Sequence, residues 1–297
     1  QLFRQCIVAT TSLSLSLNSS CGPTLYKMTV DTPRRACDMR WIAMVACVYA
    51  AMATGTSYVF GVYSGSLHNI YNFTIGELDT ITMVGGFSGV LTFVGGVITD
   101  RCGPSIAVLL GGIIMVASFT LFYLVGVGTI DATPLFPDDP GRGPLVIFST
   151  LMFLIYFSSG SITAGVFAAV VRNFPGQKGS AVGFVKGFVG ICGGLYTQTY
   201  VASFGVPDNS PSTLRFLLLI AGFVFVFAVL LSPLVRVSKN EPKMGARAVR
   251  DRKCMFRFLF GGLFVFIATV TTAGILENAL QVCHGMQLLL PLLPTDA

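Results

Sequence analysis

The residues that could do chemistry are few, and one of them lies well inside a long apolar run. Lys186 is the one lysine in the body of such a run. A charge at membrane depth costs about 2.5–3.5 kcal/mol on insertion scales, so it faces the bundle, lines a water-filled path or snorkels outward. At the helical period of about 3.6 residues, it shares one face with Gly190, Gly193 and Thr197. This face suits an anionic substrate, or else a structural ion pair with a carboxylate such as Asp100.

A charged hairpin at residues 96–104 separates two other apolar runs. Asp100 comes at the end of the first run, where the helix dipole disfavours a carboxylate. It therefore needs Arg101 or a donor on a neighbouring helix as its partner. Gly103 can adopt a positive φ, and Pro104 fits the first turn of the following helix. The hairpin is also compatible with an ordinary positively charged loop.

Polar side chains near the first apolar run are further candidates. Tyr58 and Thr54 could line a solute pathway. The Thr54 hydroxyl could equally bond to its own backbone. Asn72 begins an N-x-T pattern, a glycosylation acceptor that requires a luminal or outer location. Four-residue glycine pairs predict close helix packing in lipid: Gly85 with Gly89, Gly183 with Gly187, and Gly190 with Gly194.

The sequence contains no pattern typical of a soluble enzyme. It has no G-x-S-x-G, H-E-x-x-H or Walker motif, and its eight cysteines and two histidines give no C-x-x-C pair or zinc-ligand spacing. We therefore expect no enzymatic activity, no cofactor, no metal site and free thiols. The basic residues fall in loops between apolar runs, which argues against nucleic-acid binding.

Composition predicts an integral membrane protein. The chain is 53% hydrophobic and 11% charged, with a mean hydropathy of +0.76, whereas soluble domains are about 25% charged. Runs of about 20 apolar residues are long enough to cross a bilayer. The sequence predicts an all-α polytopic bundle with seven such spans, at residues 41–64, 80–99, 105–127, 144–171, 179–204, 214–235 and 258–276.

Loop charge predicts the topology. Basic loops alternate with acidic or neutral ones, which places the N-terminus in the cytoplasm and the 65–79 loop on the other side of a plasma or organelle membrane. The predicted organisation is a disordered cytoplasmic segment at 1–39, a six-span domain at 40–236, a basic cytoplasmic linker at 237–257, a seventh span at 258–276 and a short tail at 277–297. Within the first segment, residues 1–27 precede a better candidate start at Met28 and are expected either to be disordered or not to be native.

Two stretches resemble a known family. The hairpin resembles the G-x-L-x-D-R-x-G-R-K loop of the major facilitator superfamily: Gly96, Ile98, Asp100, Arg101 and Gly103 match, whereas Pro104 and Ser105 replace the basic pair. The second stretch is similar to the nodulin-like branch, with matches at 171–175, Gly179, 183–190 and 197–198, after an Arg40-Trp41 start. Lys186 stands at the family's own lysine, and Lys178 stands where arginine is frequent.

The resemblance implies a secondary-active or facilitative transporter that moves a small polar or anionic solute by alternating access between two six-helix halves. This chain resembles the N-terminal half plus one helix, with a cytoplasmic gating loop at Gly96, Asp100, Arg101 and Gly103. We expect the chain to be truncated after the seventh span. The alternative is a non-transporting membrane protein, or a half-transporter that pairs with a second half or another copy of itself.

Overall fold

The computed structural model describes residues 34–130, 142–204, 211–237, 255–269 and 271–272, and the regular structure in these ranges is helical throughout. Within these ranges, six helices are long and apolar enough to cross a membrane. They are span 1 (Met39–Tyr71), span 2 (Ile75–Cys102), span 3 (Pro104–Gly126), span 4 (Arg142–Asn173), span 5 (Pro175–Val201) and span 6 (Arg215–Leu234). A shorter apolar helix, Met255–Thr269, is called helix 7 here.

The predicted all-α polytopic bundle is confirmed. The predicted seventh span starts within helix 7, and its last residues lie outside the described ranges.

The predicted loop at 65–79 is wrong in extent, because only residues 72–74 between spans 1 and 2 are non-helical. Capping, rather than the limit of the apolar run, sets both helix ends. Asn72 ends span 1 in the left-handed conformation, with φ 53°. Thr74 then begins span 2 with a capping box, in which its backbone N–H donates to the Glu77 carboxylate at 2.7 Å.

The turn between spans 2 and 3 has the conformation predicted from its residues. Gly103 adopts φ 95°, in the region that favours glycine, and Pro104 occupies the first turn of span 3. Spans 2 and 3 therefore reverse direction within a single residue, and Asp100 and Arg101 lie at the end of the bundle where this turn occurs.

Span 4 packs directly against the backbones of spans 2 and 3. A methyl group at Gly95 of span 2 would lie 2.6 Å from the Ser161 Cα atom of span 4. One at Gly111 of span 3 would lie 2.9 Å from the Ser158 carbonyl oxygen. Glycine permits such an approach, and close approach is how helices associate in lipid, where apolar side chains gain nothing by leaving the solvent.

The predicted glycine pairs have different outcomes. Gly183 and Gly187 do lie at a helix contact, because added methyl groups would be 3.6 Å from Phe260 and 2.6 Å from Leu263 of helix 7. Methyl groups added at Gly190 and Gly194 would meet no described atom within 4 Å, so close packing at this pair stays a prediction. In the remaining pair, Gly85 packs closely against Met152 and Tyr156 of span 4, whereas a methyl group added at Gly89 would meet no described atom within 4 Å.

Substituting Gly95 by alanine tests the contact between spans 2 and 4. Gly95→Ala should destabilise the bundle by about 1–3 kcal/mol, because the methyl group meets backbone that cannot move away freely. Gly86→Ala, also in span 2, is the matched control, since nothing lies within 4 Å of the added methyl. Unfolding of the purified protein in graded sodium dodecyl sulfate measures both variants. Equal midpoints for the two would contradict the packing described.

Candidate functional site

Lys186 is the only charged side chain away from the span ends among the side chains that the structure describes. It is exposed, and its Nζ atom lies 5.9 Å from the ring centroid of Phe167 on span 4. A cation over an aromatic face is attracted by the ring quadrupole. In the described part of the chain no carboxylate pairs with Lys186, and Asp100, the partner considered from the sequence, pairs elsewhere.

Span 5 has three faces, which differ in what they contact. Buried residues such as Val189 and Cys192 face the core, while Gly183 and Gly187 face helix 7. Between these two faces runs the stripe that we call the Lys186 face. It consists of Lys186, Gly190, Gly193 and Thr197. The predicted alignment of these four residues is thus retained in a continuous helix, and the face is open beside Gly190.

Tyr58 of span 1 lies beside the Lys186 face. A methyl group at Gly193 would be 3.7 Å from the Tyr58 Cβ atom, and Tyr58 remains 67% exposed. The Thr197 hydroxyl donates to the Gly193 carbonyl at 2.9 Å. The Lys186 face is therefore an open surface with a cation at Lys186 and, about 10 Å further along the helix at Gly193, the contact with Tyr58.

Thr54 does not join this surface. It is buried, and its hydroxyl donates to the Ala51 carbonyl at 2.7 Å. The hydroxyls of Thr56 and Ser57 likewise donate to carbonyls three residues earlier. Of the two interpretations of these span 1 hydroxyls, bonding to their own backbone is the one observed.

Span 1 changes from α-helix to 3₁₀ helix over Gly55–Val59, next to the Lys186 face. Side chains of spans 4 and 5 donate to backbone carbonyls near this change: Tyr156 to Ser57 at 3.4 Å, Ser159 to Thr54 at 3.3 Å, and Tyr196 to Met52 at 2.9 Å. Irregular backbone at membrane depth requires such partners. These three donors are not among the residues predicted from the sequence, although Tyr156 and Ser159 are polar residues three apart in the middle of an apolar run.

Asp100 pairs with Arg172 at the end of span 4, with 2.9 Å between Oδ1 and Nη2. The sequence left Arg101 or a donor on a neighbouring helix as alternatives, and the second is observed. The side chains of Arg172 and Asp100 are 46% and 73% exposed, and ion pairs so open to solvent contribute only about 0.2–1 kcal/mol. The pair connects spans 2 and 4 at one end of the bundle without locking them together.

Two further contacts at this end fasten span 6. The Asn173 amide donates to the Arg236 carbonyl at 2.9 Å, and the Ser105 hydroxyl donates to the Val235 carbonyl at 2.6 Å. Helix ends leave carbonyls without intrahelical partners, and these side chains supply them. Asn173 belongs to the matching stretch at 171–175, but sequence alone does not predict its contact with span 6.

The two ends of the bundle differ in charge. Among the described side chains, the end with the Asp100–Arg172 pair, called the basic end here, has one acidic residue, Asp100, and six basic ones: Arg40, Arg101, Arg172, Lys178, Arg236 and Arg257. The opposite end has Glu77 and Asp79 with Arg142 and Arg215. Asn72 is exposed at this opposite end, and its glycosylation stays a prediction.

A double-mutant cycle tests the Asp100–Arg172 pair. Asp100→Asn and Arg172→Gln should each cost less than about 1 kcal/mol, with a coupling energy of about 0.2–1 kcal/mol, because both side chains are solvated. Arg101→Gln is the matched control, since the adjacent Arg101 is exposed and makes no ion pair with Asp100. The cycle is measured by unfolding in graded detergent. Coupling of Asp100 to Arg101 as strong as its coupling to Arg172 would contradict the geometry.

Comparison with known proteins addresses the family directly. A family model described as nodulin-like matches residues 40–292, which include all of span 1 except Met39, together with spans 2 to 6 and helix 7. A search of curated proteins finds no match. Because the family model matches well over half of the chain, this protein belongs to the nodulin-like family.

Proposed function

We propose that this chain forms a six-span lobe, with one additional helix, of a secondary-active or facilitative transporter with major facilitator architecture. Its solute is small and polar or anionic, and it crosses by alternating access. Family membership and six membrane-length helices support a transporter-like membrane protein. The observation that carries the proposal is Lys186, the only described charged side chain away from the span ends, on an open face of span 5 that reaches Tyr58 at Gly193.

The chemistry of the Lys186 face supports an anion as the solute. A single cation in low dielectric attracts an anion more strongly than it would in water. The Phe167 ring under Lys186 and the open space at Gly190 leave room for a small apolar body next to the charge. That the described part of the face offers one cation rather than several also favours release, because binding at a transport site must be weak enough to let the solute leave.

The charge asymmetry supports a cytoplasmic location for the basic end. Short loops rich in lysine and arginine stay in the cytoplasm during insertion, so the six basic residues at that end favour a cytoplasmic N-terminus. In this orientation the Asp100–Arg172 pair lies on the cytoplasmic side. An ion pair worth about 1 kcal/mol or less suits a gating contact that opens and closes in each cycle.

A second candidate is a half-transporter or a non-transporting membrane protein that assembles with another chain. One observation favours it: Gly190 and Gly194 have no neighbour among the described residues, so a second chain could cover this side of span 5. No described residue set favours an enzyme, and we propose none. Native mass spectrometry discriminates between these candidates, since the half-transporter predicts a dimer or a complex and no transport by the isolated chain.

Replacing Lys186 tests the proposed solute site. In liposomes, Lys186→Ala should lower uptake of a small organic anion by at least about tenfold, which corresponds to roughly 1.4 kcal/mol of lost interaction. Lys186→Arg should retain more uptake than Lys186→Ala because it keeps the charge. Lys178→Ala is the matched control, since Lys178 is also exposed on the same helix but lies at its end. Equal losses in the Lys186→Ala and Lys178→Ala variants would remove Lys186 from the site.

A further inference from the structure

The hydroxyl of Thr163 on span 4 makes no hydrogen bond to any residue that the structure describes. A serine or threonine inside a helix can satisfy its hydroxyl by donating to a backbone carbonyl three or four residues earlier. Other residues of span 4 do so: Thr150 donates to the Val146 carbonyl at 2.8 Å, and Ser158 donates to the Leu154 carbonyl. Thr163 is half-buried, and its hydroxyl is therefore a donor that a ligand can use.

Helical spacing places Thr163 on the side of span 4 that meets spans 1 and 5. Four residues before it, Ser159 donates to the Thr54 carbonyl of span 1 at 3.3 Å. Four residues after it, the centroid of the Phe167 ring lies 5.9 Å from the Lys186 Nζ atom of span 5. Positions four apart lie one above the other on a helix, about 6 Å apart along its axis. Thr163 thus lies between a contact with span 1 and the ring under the cation.

The open part of the Lys186 face lies at nearly the same depth as Thr163. Spans 4 and 5 are joined by a short turn and run in opposite directions. Thr163 is about 15 Å along span 4 from its end at Asn173, and Gly190 is about 18 Å along span 5 from Lys178. A methyl group added at Gly190 would meet no described atom within 4 Å. Space for a ligand therefore lies at the depth of the Thr163 hydroxyl.

A cation and a hydroxyl donor on adjacent helices suit an oxyanion. Ammonium and hydroxyl groups both donate to carboxylate or phosphate oxygens, and bonds between ionised partners are the stronger ones. The described part of the face has one cation, Lys186, which balances the single charge of a carboxylate. A phosphate group carries about 1.5 to 2 negative charges near pH 7, and one cation leaves part of this charge uncompensated. The charge count therefore favours a carboxylate.

The body of such a ligand has to be short. Open space extends in front of Gly190, but an added methyl group at Gly193 would lie 3.7 Å from the Tyr58 Cβ atom of span 1. These two glycines are about 4.5 Å apart along the helix axis. A carboxylate held by Lys186 and Thr163 therefore leaves room for a body of a few carbon atoms before it reaches Tyr58.

We propose that Thr163 is the second binding group of the candidate solute site. Lys186 and Thr163 together hold the carboxylate of a short organic monoanion, whose body lies in front of Gly190 and extends toward Tyr58. This assignment rests on the function proposed above, and it narrows the solute from any small polar or anionic molecule to a short carboxylate. Thr163 then determines specificity, because a halide uses the cation alone, whereas a carboxylate accepts from both donors.

Binding measurements on the full chain in nanodiscs test the two-donor site, with radiolabelled propionate, inorganic phosphate and chloride as probes. Thr163→Val removes the hydroxyl at similar size and should weaken propionate binding by about tenfold, as expected for one bond to a charged group. Thr163→Ser should retain most of the affinity. Thr150→Val is the matched control and should bind propionate unchanged, because the Thr150 hydroxyl is bonded to its own helix.

The outcomes separate this assignment from the proposed function. Propionate binding that is lost in Lys186→Ala and unchanged in Thr163→Val would overturn the role of Thr163 and leave the proposed function standing. Phosphate or chloride binding tighter than propionate binding, and dependent on Lys186, would overturn the carboxylate and leave an anionic solute. Binding of none of the three probes by the unchanged protein would overturn the two-donor site and the anionic solute together.

A labelling measurement covers the case in which Thr163→Val fails to fold. The Thr163→Cys variant is treated with an anionic methanethiosulfonate, and peptide mass spectrometry follows the thiol at position 163 and the native, exposed Cys102. Propionate should slow labelling at position 163 at least about fivefold, because it occupies the same space, and should leave Cys102 unaffected. Absence of labelling at position 163, or equal rates there with and without propionate, would overturn the proposal.

Discussion

Backbone-to-backbone contact of span 4 with spans 2 and 3 is the constraint on which the rest of the structure depends. Gly95 and Gly111 allow span 4 to approach until no methyl group would fit between them. In a bilayer, where apolar side chains are equally solvated by lipid, this close packing is a main source of helix association. Because span 4 is held this closely, its polar and aromatic side chains also reach spans 1, 2 and 5. Ser159 contacts span 1, Arg172 contacts span 2, and Phe167 lies under Lys186 of span 5.

The positions of the charged side chains follow from the membrane environment as well. An ion is expensive in the hydrocarbon region, and all but one of the described charged side chains lie at the ends of the spans. The exception, Lys186, is not compensated by a carboxylate in the described part of the chain and lies on the face of span 5 left open between the core and helix 7. Solute contact at Lys186 and a cytoplasmic basic end are our proposals for this member of the nodulin-like family.

The sequence predicts the features that depend on local chemistry or on periodicity. The spans follow from apolar length, the turn at Gly103 and Pro104 follows from backbone preference, and the Lys186 face follows from helical spacing. Features that depend on contacts between distant residues are not predicted. Arg172 is 72 residues from Asp100, so its choice over the adjacent Arg101 requires knowledge of how spans 2 and 4 pack. The open space at Gly190 likewise depends on where helix 7 lies, which the glycine spacing alone does not specify.

The account requires span 2 to cross the membrane once and the basic end to face the cytoplasm, and labelling from one side of the membrane tests both requirements directly. Two variants each carry a single cysteine: one keeps the exposed Cys102 at the basic end, and the other has Asn72→Cys at the opposite end. A membrane-impermeant maleimide is applied to sealed cells and, separately, to inside-out vesicles. We predict that Cys102 reacts only from the cytoplasmic side and the cysteine at position 72 only from the other side. Labelling of both positions from the same side would contradict the account.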